Sequence, residues 1–300
     1  MPKYQLKKRS FPEDAYGILK PMKGGKKAHG FTVVETLIVL AVTGALFVAV
    51  AATLSGRQAK TQFTQGIQEI QSQIQQVIND VGSGYFPSSN NFSCVSALSG
   101  PSISTGTNEQ GSNEGCIFLG KAIQFGVDST DPEEFNIFTI AGLQRTPTGE
   151  EVSSSDTSKP PYDEAKPIAV APPASPRDLT DKQKLRYGLT TLQPYFGVSK
   201  TPISSVAFVN SLAAYSGGTI TSGSQQVRVV PIPGNWHQTE SQAATDINNK
   251  LRTSNDVDPD GGVSICFVSG TTDQSGLITI GNSGRQLSVT LSIKGNKTCS

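Results

Sequence analysis

FTVVETLIVLAVTGALFVAVAATLSG, residues 31–56, contains one charged side chain, Glu35, and the next charge along the chain is Arg57. As a helix rising 1.5 Å per residue, residues 31–54 extend about 36 Å, more than the roughly 30 Å hydrocarbon core of a bilayer. The run therefore predicts a membrane-crossing helix. Upstream, residues 1–30 carry eight Lys and Arg against Glu13 and Asp14, a net +6. By the positive-inside rule this basic head is cytoplasmic, and everything after Arg57 faces outward. The remaining 270 residues hold 17 cations against 22 carboxylates, or −5, so the overall +1 of the 300-residue chain is a sum over two oppositely charged parts. That balance excludes a globally basic nucleic-acid binder and leaves nucleic-acid contact unassigned.

An ordinary secretory signal places its small cleavage-site residues after a shorter apolar region. Here the order is reversed. Lys26-Lys27-Ala28-His29-Gly30 precedes Phe31-Thr32-Val33-Val34-Glu35-Thr36-Leu37-Ile38-Val39-Leu40. This arrangement resembles the processing site of type IV prepilins and type II secretion pseudopilins. The resemblance implies that a membrane prepilin peptidase cuts between Gly30 and Phe31, that the new Phe31 amine is methylated, and that Glu35 is the family's glutamate at the fifth mature position. It further implies an α+β, type IV pilin-like fold, in which one long N-terminal helix packs on an antiparallel β-sheet. The implied partners are the peptidase, other pilin subunits, the cytoplasmic membrane and the pilus assembly platform. One position departs from the pattern: where many type IV pilins carry a helix-kinking Pro, this chain has Ala52, and the apolar run contains no Pro.

A carboxylate in a membrane helix costs on the order of 2.5–3.5 kcal/mol at the bilayer centre and less near an end, so it calls for a partner. Cleavage would create one in the Phe31 amine of a neighbouring subunit. At about 4 Å and an effective dielectric of about 20, the pair attracts by about 4 kcal/mol before desolvation. The plainer reading is a single-pass anchor whose Glu35 sits at the interface.

Past the membrane, Phe63, Ile67, Ile70, Ile74, Val77, Ile78 and Val81 recur at steps of three and four, which predicts an amphipathic continuation over 57–84 that ends at Gly82-Ser83-Gly84. Its stripe suits packing on a sheet, or a short coiled coil. Apolar runs predict strands at 116–127, 135–143, 206–210, 227–232, 263–268, 277–280 and 287–293. Thr239 is a good N-cap for a helix reaching Leu251, with Ala243, Ala244, Ile247 and Leu251 on one face. Residues 145–180, within the outer domain, 85–300, hold seven of the 18 prolines and read as a surface excursion or interdomain linker.

All four cysteines, Cys94, Cys116, Cys266 and Cys299, follow the apolar run, as suits an exported domain. Three pairings are open; proximity favours Cys94 with Cys116 and Cys266 with Cys299, the latter resembling the C-terminal disulfide loop of many pilins. Asp256, Asp258 and Asp260, followed by Gly261, match the opening of a calcium loop. Phe267 stands where an EF-hand has its glutamate, so the alternatives are a different calcium loop, as some family members have, and a solvated acidic turn. Trp236-His237 follows a Pro-Gly-Asn turn. His237 has no acid-and-nucleophile pattern around it, and no phosphate loop is present, so no enzyme is expected. The expectation is a structural pilin-like subunit, large enough to suggest a minor or specialised one, first in the cytoplasmic membrane and then in a pilus or pseudopilus. The alternative is a permanently anchored surface adhesin or receptor with an outer binding domain.

Overall fold

The computed structural model describes residues 30, 32–84, 92–97, 99–105, 116–127, 131–144, 162–170, 180–210, 227–234, 236–253, 262–283 and 286–299. A helix with no Pro and only isolated Gly, α1 (Val33–Ser83), opens the fold. The boundary between two units of the chain falls between Ala52 and Thr53. α1 stops where Gly84 takes φ +67°, a left-handed conformation natural to glycine, and its N–H bonds the Val81 carbonyl at 3.0 Å.

In the second unit, β1 (Phe92–Ala97) and β2 (Gly100–Thr105) form a hairpin of their own. The strands that follow are β3 (Cys116–Val127), β4 (Asp131–Leu143), β5 (Ile168–Val170), β6 (Thr180–Lys184), β7 (Leu189–Thr191), β8 (Tyr195–Phe196), β9 (Thr201–Asn210) and β10 (Val227–Pro233). After α2 (Glu240–Thr253) come β11 (Val263–Ser269), β12 (Ser275–Ser283) and β13 (Gln286–Lys294). Among the described residues these form an eleven-stranded sheet, ordered β13-β12-β11-β8-β9-β3-β4-β5, with β10 on β9, β6 on β4 and β7 on β11. Every pairing is antiparallel, as expected of strands joined by hairpins.

Side-chain alternation divides this sheet between two cores. Ile123 and Phe125 of β3, Phe135 of β4 and Phe208 of β9 join the α1 stripe, whose seven apolar residues from Phe63 to Val81 are all buried. Their neighbours Ala122, Phe138, Ala207 and Val209 join Ala243, Ala244, Ile247 and Leu251 of α2 on the opposite side. The stripe is thus spent on the sheet of its own chain. Polar contacts hold it in register: Lys121 Nζ lies 2.6 Å from Asp80 Oδ2, and the Gln71 side-chain amide donates to the Val289 carbonyl at 3.1 Å. Phe63 is 1% exposed. Phe63→Ala is expected to cost about 3–5 kcal/mol, read as a lowered denaturation midpoint of the full chain with its disulfides intact.

The structure adds six strands to those expected, β1, β2, β5, β6, β7 and β8, and two of them show why. Part of the Pro-rich excursion is interior: Tyr162 and Ala165 are buried, the Tyr162 hydroxyl donates to the Asn210 carbonyl at 2.7 Å, and β5 pairs with β4. Proline there limits strand length without preventing burial. β6 is polar throughout and pairs with β4 nonetheless, since backbone pairing at an edge needs no apolar side chains.

Candidate functional site

Thr32 caps α1. Its backbone N–H and its hydroxyl each donate to Glu35 Oε2 at 3.1 Å, and the Glu35 N–H donates to Thr32 Oγ1 at 3.3 Å. This is a reciprocal capping box, legible as Thr-x-x-Glu in the sequence but overlooked beside the processing motif. The carboxylate therefore sits at the helix start, where the backbone N–H groups are positive, and is held by its own chain. With roughly four lone-pair sites on a carboxylate, capacity remains for a further cation.

Beyond it lies apolar surface. From Val33 to Leu54 all twelve Val, Leu, Ile and Phe side chains are exposed, from 52% at Val42 to 75% at Val33 and Phe47. They surround the helix rather than line one face, the pattern of a helix buried in lipid or among other helices. The α1 window has a mean hydropathy of 2.6, long and apolar enough to cross a membrane. Covering those side chains is favourable on the order of 20 kcal/mol at about 1.5–3 kcal/mol each. The hydroxyls of Thr36 and Thr43 bond the Val33 and Val39 carbonyls at 2.8 Å, so neither brings an unpaired polar atom into that surface. Gly30 is exposed, with nothing within 4 Å of where a Cβ would stand. Phe31 lies outside the described residues, as does the basic head apart from Gly30.

In the outer domain Cys94 is joined to Cys116 and Cys266 to Cys299. The first bond ties the β1–β2 hairpin to the start of β3, and the second secures the segment after β13 to β11. In the chain-entropy model, loops of this length stabilise by about 3–4 kcal/mol each. Asp256, Asp258 and Asp260 lie outside the described residues, between α2 and β11. Among the described residues no group of three or more His, Cys, Asp or Glu is arranged to hold a metal.

A cleft opens beside the start of α2. Its N-cap is Thr239, whose N–H and hydroxyl donate to Gln242 Oε1 at 3.2 Å in a second capping box. The preceding Trp236 and His237 stack, with ring centroids 4.1 Å apart and planes 25° from parallel. Below them Ser205, Gln124 and Asn136 form one transverse row across β9, β3 and β4, all buried, and Gln124 Nε2 donates to the Gln238 carbonyl at 2.7 Å. The cleft's lining is local, from Trp236 to Asp246, but its footing is not: Gln124 of β3 holds the Gln238 carbonyl and Gly126 of β3 lies against the Trp236 indole.

Comparison of the chain with family models, with curated proteins and with solved structures returns no match.

Proposed function

We propose that this chain is a pilin-like structural subunit. A prepilin peptidase trims it after Gly30, and it assembles through residues 31–56 into a type IV pilus or pseudopilus. One observation carries the reading: a helix start that is apolar on all sides, with Glu35 as its single charge, follows directly on a basic head that ends in Gly30. Lipid satisfies the apolar surface, and a stack of like helices satisfies both the surface and the carboxylate, since each cleaved chain brings a new amine at Phe31. The capping box bears on this, because it holds the carboxylate within one helical turn of the new terminus.

On this reading residues 57–300, the amphipathic helix half and the outer domain, are displayed on a filament or at its tip, and the chain's own chemistry is that of a peptidase substrate and a building block. The size of the mature chain favours a minor or specialised subunit. The basic head stays cytoplasmic until cleavage, and the disulfide-bonded domain is extracytoplasmic.

N-terminal sequencing and intact mass of the protein from its native host test the proposal. The expected terminus is Phe31, methylated on its amine, and Gly30→Val is expected to leave the full leader in place, since a branched side chain enters where the cut requires glycine. An unprocessed wild-type chain in that host overturns the reading in favour of a permanently anchored surface protein.

A further inference from the structure

We propose that the cleft beside the start of α2 binds the ring of a neutral saccharide. It is open, holds about 620 Å³, and is lined by Trp236, His237, Gln238, Gln242, Thr245 and Asp246 among others. That size lies within the range of small-ligand sites. The proposal stands on the outer domain alone and does not depend on the fate of the apolar helix.

The aromatic wall is built into place. The indole edge of Trp236 lies over Gly126, where any Cβ would overlap Nε1, and Gly126 has φ +68°. His237, stacked on Trp236, adopts φ +67°, a left-handed backbone rare for a non-glycine residue and concentrated at binding sites. The polar wall is positioned by bonds that use only part of each side chain. Asp246 Oδ2 accepts from Gln238 Nε2 at 2.9 Å, Gln242 Oε1 accepts from Thr239, and the Thr245 hydroxyl donates to the Ser241 carbonyl at 2.9 Å. By valence, Asp246 Oδ1, the Gln242 amide N–H groups and the Thr245 oxygen lone pairs remain for a ligand. Gln238 Oε1 is buried beneath this wall and Trp236 Nε1 against Gly126, each without a hydrogen-bond partner among the described residues.

These groups select the ligand class. An anion meets no Lys or Arg among the lining residues described and is repelled by Asp246, while the helix start is already capped by Thr239, whose hydroxyl accepts from the Gln242 N–H. An apolar ligand would strip water from Asp246, Gln238 and Gln242 without replacing its bonds. A pyranose ring offers an apolar C–H face to the aromatic pair and vicinal hydroxyls that donate to a carboxylate while accepting from an amide.

Trp236 is the single tryptophan of the chain, so its emission reports on this cleft directly. The experiment titrates the full chain, oxidised and held in nanodiscs or a detergent without a sugar headgroup, with neutral hexoses, N-acetylhexosamines and their short oligomers. At least one is expected to give a saturable change in emission. Asp246→Asn and Gln242→Ala are each expected to weaken that binding by about tenfold or more. Val198→Ala, at an exposed turn residue distant in sequence, should bind as the wild type does. Thr245→Val replaces either variant if its circular dichroism departs from that of the wild type. The proposal is overturned if no saccharide in the panel changes the emission, if the folded variants bind with unchanged affinity, or if inorganic phosphate saturates the signal in place of a sugar.

Discussion

On the proposed function, the Glu35→Val chain is expected to be inserted and carried in the membrane, yet to be absent from surface filaments. Both electrostatic terms move the same way. Val removes the insertion cost of a carboxylate, so the lipid-embedded state gains, and it removes the attraction to a neighbour's Phe31 amine, so the stack loses. The second term is about 4 kcal/mol at 4 Å in an effective dielectric of about 20 before desolvation, which sets an upper bound of about a thousandfold on the balance between lipid and filament. The in-chain bonds from Thr32 to Glu35 raise a competing explanation, in which the side chain serves only to cap its helix. Glu35→Gln separates the two. Glutamine at this position completes a capping box as well as glutamate does, but it carries no charge. If charge pairing drives assembly, Glu35→Gln fails as Val does; Glu35→Gln chain recovered at the wild-type level in the sheared surface fraction, and seen on filaments by labelled electron microscopy, would show that capping suffices.

Gly120→Ala is expected to be the most damaging single methyl in the outer domain. Gly120 sits in β3 between β4 and β9, paired with Ile140 and Val209. A Cβ there would overlap the Phe208 carbonyl oxygen and stand 2.9 Å from Val209 Cα. Both are backbone atoms of the facing strand, which no rotamer change can move aside. β9 must withdraw, and with it go ladder bonds in the middle of the sheet and the packing of Phe208 against the α1 stripe. Overpacking and broken buried hydrogen bonds together come to about 3 kcal/mol or more. Thermal melts of the oxidised full chain check this against Gly270→Ala, where nothing lies within 4 Å of the added methyl and the expected change is within about 0.5 kcal/mol.

Much of the architecture was legible because it is periodic. The stripe from Phe63 to Val81 marked the buried face of α1, the apolar run at 116–127 coincided with β3, and Thr239 to Leu251 outlined α2 to within two residues. Each relies on a side-chain repeat of 3.6 or 2, which local sequence displays. What escaped were the shorter strands, β1, β2, β5, β6, β7 and β8, three of which show the reason. β6 is polar, β8 is two residues long, and β5 lies among prolines; all three exist because a neighbouring strand offers unpaired backbone groups.

The candidate sites divide along the same line. Gly30, Phe31 and Glu35 form a contiguous motif, so the expectation of processing and assembly rests on sequence alone, and the structure contributes the box that Thr32 closes around Glu35. The cleft at Trp236 is lined by one stretch, the turn before α2 and the first two turns of α2, and that stretch is seated on Gly126 and Gln124 of β3. By itself the sequence determined the apolar helix, its lone carboxylate, its basic flank and the faces of the long elements, since these follow from which residue types recur at which spacing. Only the tertiary structure decided which strands pair out of order, which cysteine meets which, and that the turn at Trp236 is seated on Gln124 and Gly126, because those depend on contacts between residues far apart in the chain.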